Sequence, residues 1–162
     1  RLGRCPACMR TACLFAAGSV AIATLAAAAG RGDILFRTGS VTDEEIGRLI
    51  ASSSVFLSPH RSEGFGLVIA EAFLSGLPAL ATGWSGNVDF MADVPELLID
   101  YRLVPVRDPS RIYRATGLKW AEPDVSDAAT KLRALHQSAS LRRELAMRGK
   151  AAIDAQFGQF SE

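Results

Sequence analysis

No cysteine follows Cys13, and the three present, Cys5, Cys8 and Cys13, crowd into the first residues. A disulfide framework is therefore excluded for the body of the chain, which agrees with a reducing compartment. Cys5-Pro6-Ala7-Cys8 has the spacing of a zinc or redox pair, but a structural zinc takes four ligands and no second pair follows. The cysteines read as unpaired thiols without metal. Charge of one sign is also lacking: 18 basic against 17 acidic residues leave a formal charge of +1, so nucleic acid is not an expected partner. Internal repeats and flexible linkers are absent. What remains is 162 residues, about one domain in length, of which 49% are hydrophobic, ample for a core.

Charge is absent again over residues 11–30, with Arg1, Arg4 and Arg10 ahead of them. Three readings stay open for that run: a helix packed on the rest of the protein, a signal-like segment, or a membrane span. Its alanines, interrupted by Thr11, Gly18, Ser19 and Thr24, are only weakly apolar, which favours the packed helix. Residues 1–33 are therefore set apart as an alanine-rich, partly helical segment, and residues 34–162 as the folded domain.

From Ile34 onward, strands and helices alternate, the pattern of an α/β protein with a parallel sheet and helices on both faces. Ile34-Leu35-Phe36 is the first clear strand. Thr42-Asp43-Glu44-Glu45 is a capping box, followed by an apolar helical face of Ile46, Leu49 and Ile50. Val55-Phe56-Leu57 reads as a buried strand, Leu67 to Ser75 as a helix, and Ala79 to Ala81 as the next strand. Leu97-Leu98-Ile99 with Tyr101 makes one further strand. Helices follow over Asp124 to Leu135, with Ala128, Leu132 and Leu135 inward, and over Leu141 to Phe157, bearing Leu145 and Ile153.

The chemistry concentrates in Ser58-Pro59-His60-Arg61-Ser62-Glu63-Gly64-Phe65-Gly66-Leu67-Val68-Ile69-Ala70-Glu71. Pro59 ends a strand, and Gly64 and Gly66 allow conformations and close approaches that a side chain forbids. Free amides at the helix start suit an anion such as a diphosphate. Glu63 in the turn and Glu71 on the helix come from different elements, so they are ill placed to flank one bond as a hydrolase pair does. They suit two parts of one ligand, Glu71 the neighbouring hydroxyls of a ribose and Glu63 a sugar. The plainer alternative is two solvated glutamates around a strand-to-helix turn. His60 and Arg61 stand where they could meet phosphate or sugar, or serve only structural bonds. Gly83 to Asn87, around an exposed Trp84, either shapes a ligand wall or turns the chain.

Glu63 to Glu71 with its seven intervening residues, then Gly76-Leu77-Pro78-Ala79-Leu80-Ala81-Thr82, resembles the donor-binding half of the family four retaining glycosyltransferases. Gly83-Trp84-Ser85-Gly86-Asn87-Val88-Asp89-Phe90-Met91 and Trp120-Ala121-Glu122-Pro123-Asp124 look like a bacterial branch of that family, so the resemblance covers roughly residues 34 to 160. It implies a Rossmann-like domain, the C-terminal half of a GT-B fold, with a nucleotide diphosphate sugar as donor substrate and neither cofactor nor bound metal. Glu71 would bind the ribose, Glu63 would be the catalytic-site carboxylate at the donor sugar, and Gly64 to Leu67 would supply amides. An Arg and Lys pair that neutralises the leaving diphosphate belongs to a segment ahead of Ile34. No lysine precedes Lys119, so that pair is not matched here. Trp120 to Asp124 is expected to position the last helices.

The same resemblance calls for an acceptor-binding N-terminal domain as partner and for an acceptor saccharide, lipid or protein. The chain is thus expected to be a fragment. Nucleotide sugars are made in the cytosol, so a cytoplasmic location follows, with a membrane-peripheral one left open. The alternative is a binding or assembly module without turnover.

Overall fold

Thr42 opens the first described helix by reciprocal hydrogen bonds: the Glu45 amide donates to the Thr42 hydroxyl at 3.3 Å, and the Thr42 amide donates to the Glu45 carboxylate at 3.0 Å. A computed structural model describes the backbone of residues 12–14 and, in full, residues 41–108, 113 and 117–158. The strand expected at Ile34 to Phe36 and the Cys5 and Cys8 pair lie outside these residues.

Four parallel strands form the main sheet in the order of the chain: β1 (Ala12–Leu14), β2 (Val55–Ser58), β3 (Ala79–Thr82) and β4 (Leu98–Ile99). All four residues of β3 are buried, as expected for a strand covered by packing and read from a continuous apolar run. Ala12–Leu14 stand at the head of the uncharged run read as a helix. They are strand instead, because Ala12, Cys13 and Leu14 pair in register with Val55, Phe56 and Leu57, and that ladder outweighs alanine's local helical preference.

Helix α1 (Asp43–Ser52) leads into β2, α2 (Leu67–Leu74) links β2 to β3, and the short α3 (Val88–Met91) and a 3₁₀ turn at Pro95–Leu97 precede β4. Helices α4 (Val125–Gln137) and α5 (Ala139–Phe157) complete the domain. Helix α2 packs on β2 and β3, and α4 on β3 and β4, so helices flank the sheet of a Rossmann-like α/β fold. The core holds Phe56, Phe73, Leu80, Phe90, Leu135 and Leu145, each worth about 1.5–3 kcal/mol when fully buried. Helix α5 meets α2 closely because Gly149 leaves room for the Phe73 ring, which would stand 2.2 Å from a Cβ there.

One expected strand proves to be two. Asp100 separates β4 from β5 (Tyr101–Pro105), which pairs antiparallel with β6 (Lys119–Pro123) as a separate ribbon. The cause lies in the start of α4. The Asp100 amide donates to the Asp127 carboxylate at 2.9 Å and its carbonyl accepts the Asp124 amide at 2.7 Å, so its backbone serves the helix cap and not the sheet. Asp124 in turn accepts the amides of Ser126 and Asp127 at 2.8 and 3.1 Å. Burial pushes the Asp127 carboxyl up, but the hydrogen bonds from Lys131 and the Asp100 amide, with the Lys131 charge, outweigh it and hold the group below its ordinary value. Glu96 is also held low, chiefly by the hydrogen bond from Arg148 on α5, with its own backbone amide adding to the effect.

Candidate functional site

The loops that leave the carboxyl ends of β2 and β3 meet, which is where open parallel sheets receive ligands. His60 joins them. Its Nε2 lies 3.0 Å from the Trp84 carbonyl, and its Nδ1 lies 3.1 Å from the Ser58 carbonyl and 3.3 Å from the Ser58 hydroxyl, so the ring bridges the two loops. The backbones also touch at Gly86, where a Cβ would fall 1.9 Å from the Gly64 carbonyl oxygen. Only glycine fits there.

Gly66 turns the first loop into α2 with φ +90° and ψ +42°, the left-handed region that favours glycine. A side chain at that point would also crowd Asn87 and Ile69, both 3.2 Å away. As the N-cap it makes no side-chain cap bond, so the first-turn amides of α2 have no side-chain cap and keep the positive end of the helix dipole open. Leu67 is 66% exposed at this helix start. Phe65 is anchored from two directions, its ring 5.3 Å from that of Phe90 and 5.2 Å, edge to face, from that of Phe157.

The two glutamates occupy different elements. Half-buried Glu63 accepts the Gly64 amide at 3.0 Å from its own loop. Glu71 lies on the solvent face of α2, four residues or about 6 Å beyond Leu67, and its carboxylate has no side-chain partner among the described residues. Arg61 points away from the glutamates' loop toward the ribbon, where Nη2 pairs with the Glu122 carboxylate at 2.7 Å. Thus His60, Gly64, Phe65 and Gly66 are brought into one joint between the two loops, and Arg61 joins it to β6.

Residues 16–155 match the family described as Family 4 Glycosyltransferase in conflict systems. The chain belongs to the family 4 glycosyltransferases. It is also similar to sulfoquinovosyl transferase SQD2 of Arabidopsis thaliana, 33% identical over 115 residues, which cover 71% of this chain and 19% of the plant protein. The chain thus spans well under two thirds of the curated relative's length. No solved structure matches it. Among the described residues of this family 4 domain, no helix is long and apolar enough to cross a membrane.

Several residues around the site of this glycosyltransferase domain carry little local signal. Asn87, read as the end of a glycine loop and as part of the family-like run from Gly83 to Met91, is fully buried and donates to the Thr82 carbonyl at 3.0 Å, fixing the turn after β3. Trp84, expected to be exposed, is half-buried, its ring centroid 5.4 Å from that of Tyr101 on β5. Of Trp120 to Asp124, expected to position the last helices, Asp124 does so by capping α4, whereas Trp120 and Glu122 lie on β6 and engage Arg61. A signal was present in the alternation of Trp120, Ala121 and Glu122, which places the first and third on one face of a strand.

Proposed function

We propose that this chain is the donor-binding half of a retaining glycosyltransferase that moves a sugar from a nucleotide diphosphate sugar to an acceptor. The observation that carries the reading is the start of α2 at Gly66, without a side-chain cap, with Glu63 just ahead of it and Glu71, which has no side-chain partner among the described residues, just behind. In this reading the amides at the start of α2 receive the diphosphate, that of Gly64 joining them once Glu63 turns from it to orient the donor sugar, and Glu71 accepts hydrogen bonds from the ribose hydroxyls. Phe65 and Gly66 shape the loop, and His60 keeps it against the β3 loop. Binding uses no metal and no further cofactor, and the protein works in the cytoplasm, at a membrane surface where the acceptor is a lipid.

Transfer also needs an acceptor held at near-attack distance and a cationic partner for the departing diphosphate. In this reading those come from an acceptor-binding domain and from an Arg and Lys pair that this sequence does not match. The absence of lysine before Lys119 favours a second reading, a nucleotide-sugar-binding or assembly module without turnover. Calorimetric titration of the chelator-treated chain with a panel of nucleotide sugars tests the shared part. The expected result is weak binding of one panel member, unchanged by chelator. Binding that vanishes with chelator and returns with magnesium would overturn the metal-free reading, and no binding by any member would overturn the donor site itself.

A further inference from the structure

The β5–β6 ribbon touches both loops of the site. Tyr101 packs against Trp84 of the β3 loop, and the ribbon's second strand grips Arg61 of the β2 loop. That grip has three parts. The Arg61 guanidinium carbon lies 5.0 Å from the Trp120 ring centroid, Nη2 pairs with Glu122 at 2.7 Å, and the Arg61 carbonyl accepts the Ala121 amide at 2.9 Å. The Arg61 and Glu122 side chains are 37% and 33% exposed, so solvent screens their pairing only in part.

We infer that Glu122 is a positioning residue: by fixing Arg61 it holds the backbone from Arg61 to Gly66, and with it the helix-start amides, in the conformation that receives a ligand. What that ligand is rests on the donor reading above. The far end of the segment is fixed by Phe65 and Gly66, as described, and Arg61 fixes the near end. Between these anchors lie Ser62, Glu63 and Gly64, a short polar stretch whose glycine adds freedom. Glu122 also neutralises the guanidinium, so Arg61 is not a free cation awaiting a diphosphate. The two roles for Arg61 predict opposite signs. If it only positions the loop, removing the Glu122 charge loosens the site and weakens the ligand. If it binds phosphate directly, the same change frees a cation and tightens it.

Hydrogen exchange on the unliganded 162-residue chain reads the strap without a ligand. In Glu122→Gln, the hydrogen-bonded amides of the strap, that of Ala121 on the Arg61 carbonyl and that of Gly64 on Glu63, should exchange roughly fivefold faster, with α5 unchanged. The double variant Arg61→Gln, Glu122→Gln should exchange no faster than Arg61→Gln alone, since that change already removes both the Glu122 pair and the Trp120 contact. Unchanged exchange in Glu122→Gln, or additive acceleration in the double variant, overturns the inference. Should Glu122→Gln not fold, Arg61→Lys, which keeps the charge but loses the planar fork, is expected to give the same acceleration, and its absence is equally decisive. Calorimetry with uridine diphosphate glucose, guanosine diphosphate mannose and adenosine diphosphate glucose adds the second arm. Weakening of roughly fivefold in Glu122→Gln is expected, and tightening overturns the positioning role. If no probe binds the unaltered chain, the donor reading fails while the exchange result still decides the strap.

Discussion

Gly86 stands against Gly64 so closely that a methyl group on Gly86 would lie 1.9 Å from the Gly64 carbonyl oxygen and 2.9 Å from its carbonyl carbon. The obstacle is backbone, so no rotamer change relieves it, and the loop bearing Glu63 has to move. Gly86→Ala is expected to cost about 1–3 kcal/mol of stability, as overpacking does, and to weaken nucleotide-sugar binding. Gly64→Ala is the control, since nothing lies within 4 Å of a Cβ there. Urea denaturation of the two variants checks the contrast, and equal losses would refute it.

The proposed division of labour between the glutamates has a distinct signature. Hydrogen bonds to a charged group contribute roughly 1.5–3 kcal/mol, so Glu71→Gln should weaken both the free nucleotide diphosphate and the sugar-bearing donor by about one to two powers of ten. Glu63→Gln should weaken only the sugar-bearing donor. Calorimetry of both ligands against both variants decides, and parallel losses in all four titrations would reject separate roles.

Acid should act through Asp127. Its folded carboxyl is held below the ordinary value of 3.8, so its contribution is present above that value and is lost as pH falls through the lower folded one. Asp127→Asn is therefore expected to be less stable than the unaltered chain at neutral pH, by an amount that shrinks below about pH 3.8. Thermal midpoints measured from pH 7 downward give the comparison. A gap that widened in acid would mean that Asp127 is not held in its charged form by Lys131 and the Asp100 amide.

The seat of Phe73 on Gly149 predicts a second steric failure, remote from the site. Gly149→Ala would bring a methyl group within 2.2 Å of the ring and should destabilise the chain by about 1–3 kcal/mol, with Phe73→Leu restoring part of the loss. Chemical denaturation of the single and double variants tests this. Additive losses would show that the helices do not meet there.

The parts legible in the sequence are those set by near neighbours. The capping box at Thr42 and Glu45 needs only residues three apart, and the glycine turn with its two glutamates lies within one short segment. Helices α4 and α5 were likewise legible from Ala128, Leu135, Leu145 and Ile153, whose helical spacing survives into the fold. What escaped depends on partners far along the chain. The break at Asp100 is made by Asp127, the seat of Trp84 by Tyr101, and the orientation of Arg61 by Glu122. No periodicity records such pairings, and Ala12–Leu14, ahead of the alanine-rich run, became a strand only because β2 offered a ladder.

Phe65 has a bearing on the order in which this domain is made. Of its two ring partners among the described residues, Phe90 follows it closely, but Phe157 belongs to the last turn of α5. A growing chain that has left the ribosome as far as β6 therefore holds both glutamates and the glycines, yet has only half of the aromatic wedge beneath the loop. The wedge is whole only once α5 has been made and has docked on α2, so the loop bearing Glu63 reaches its packed form well after its own residues have been added.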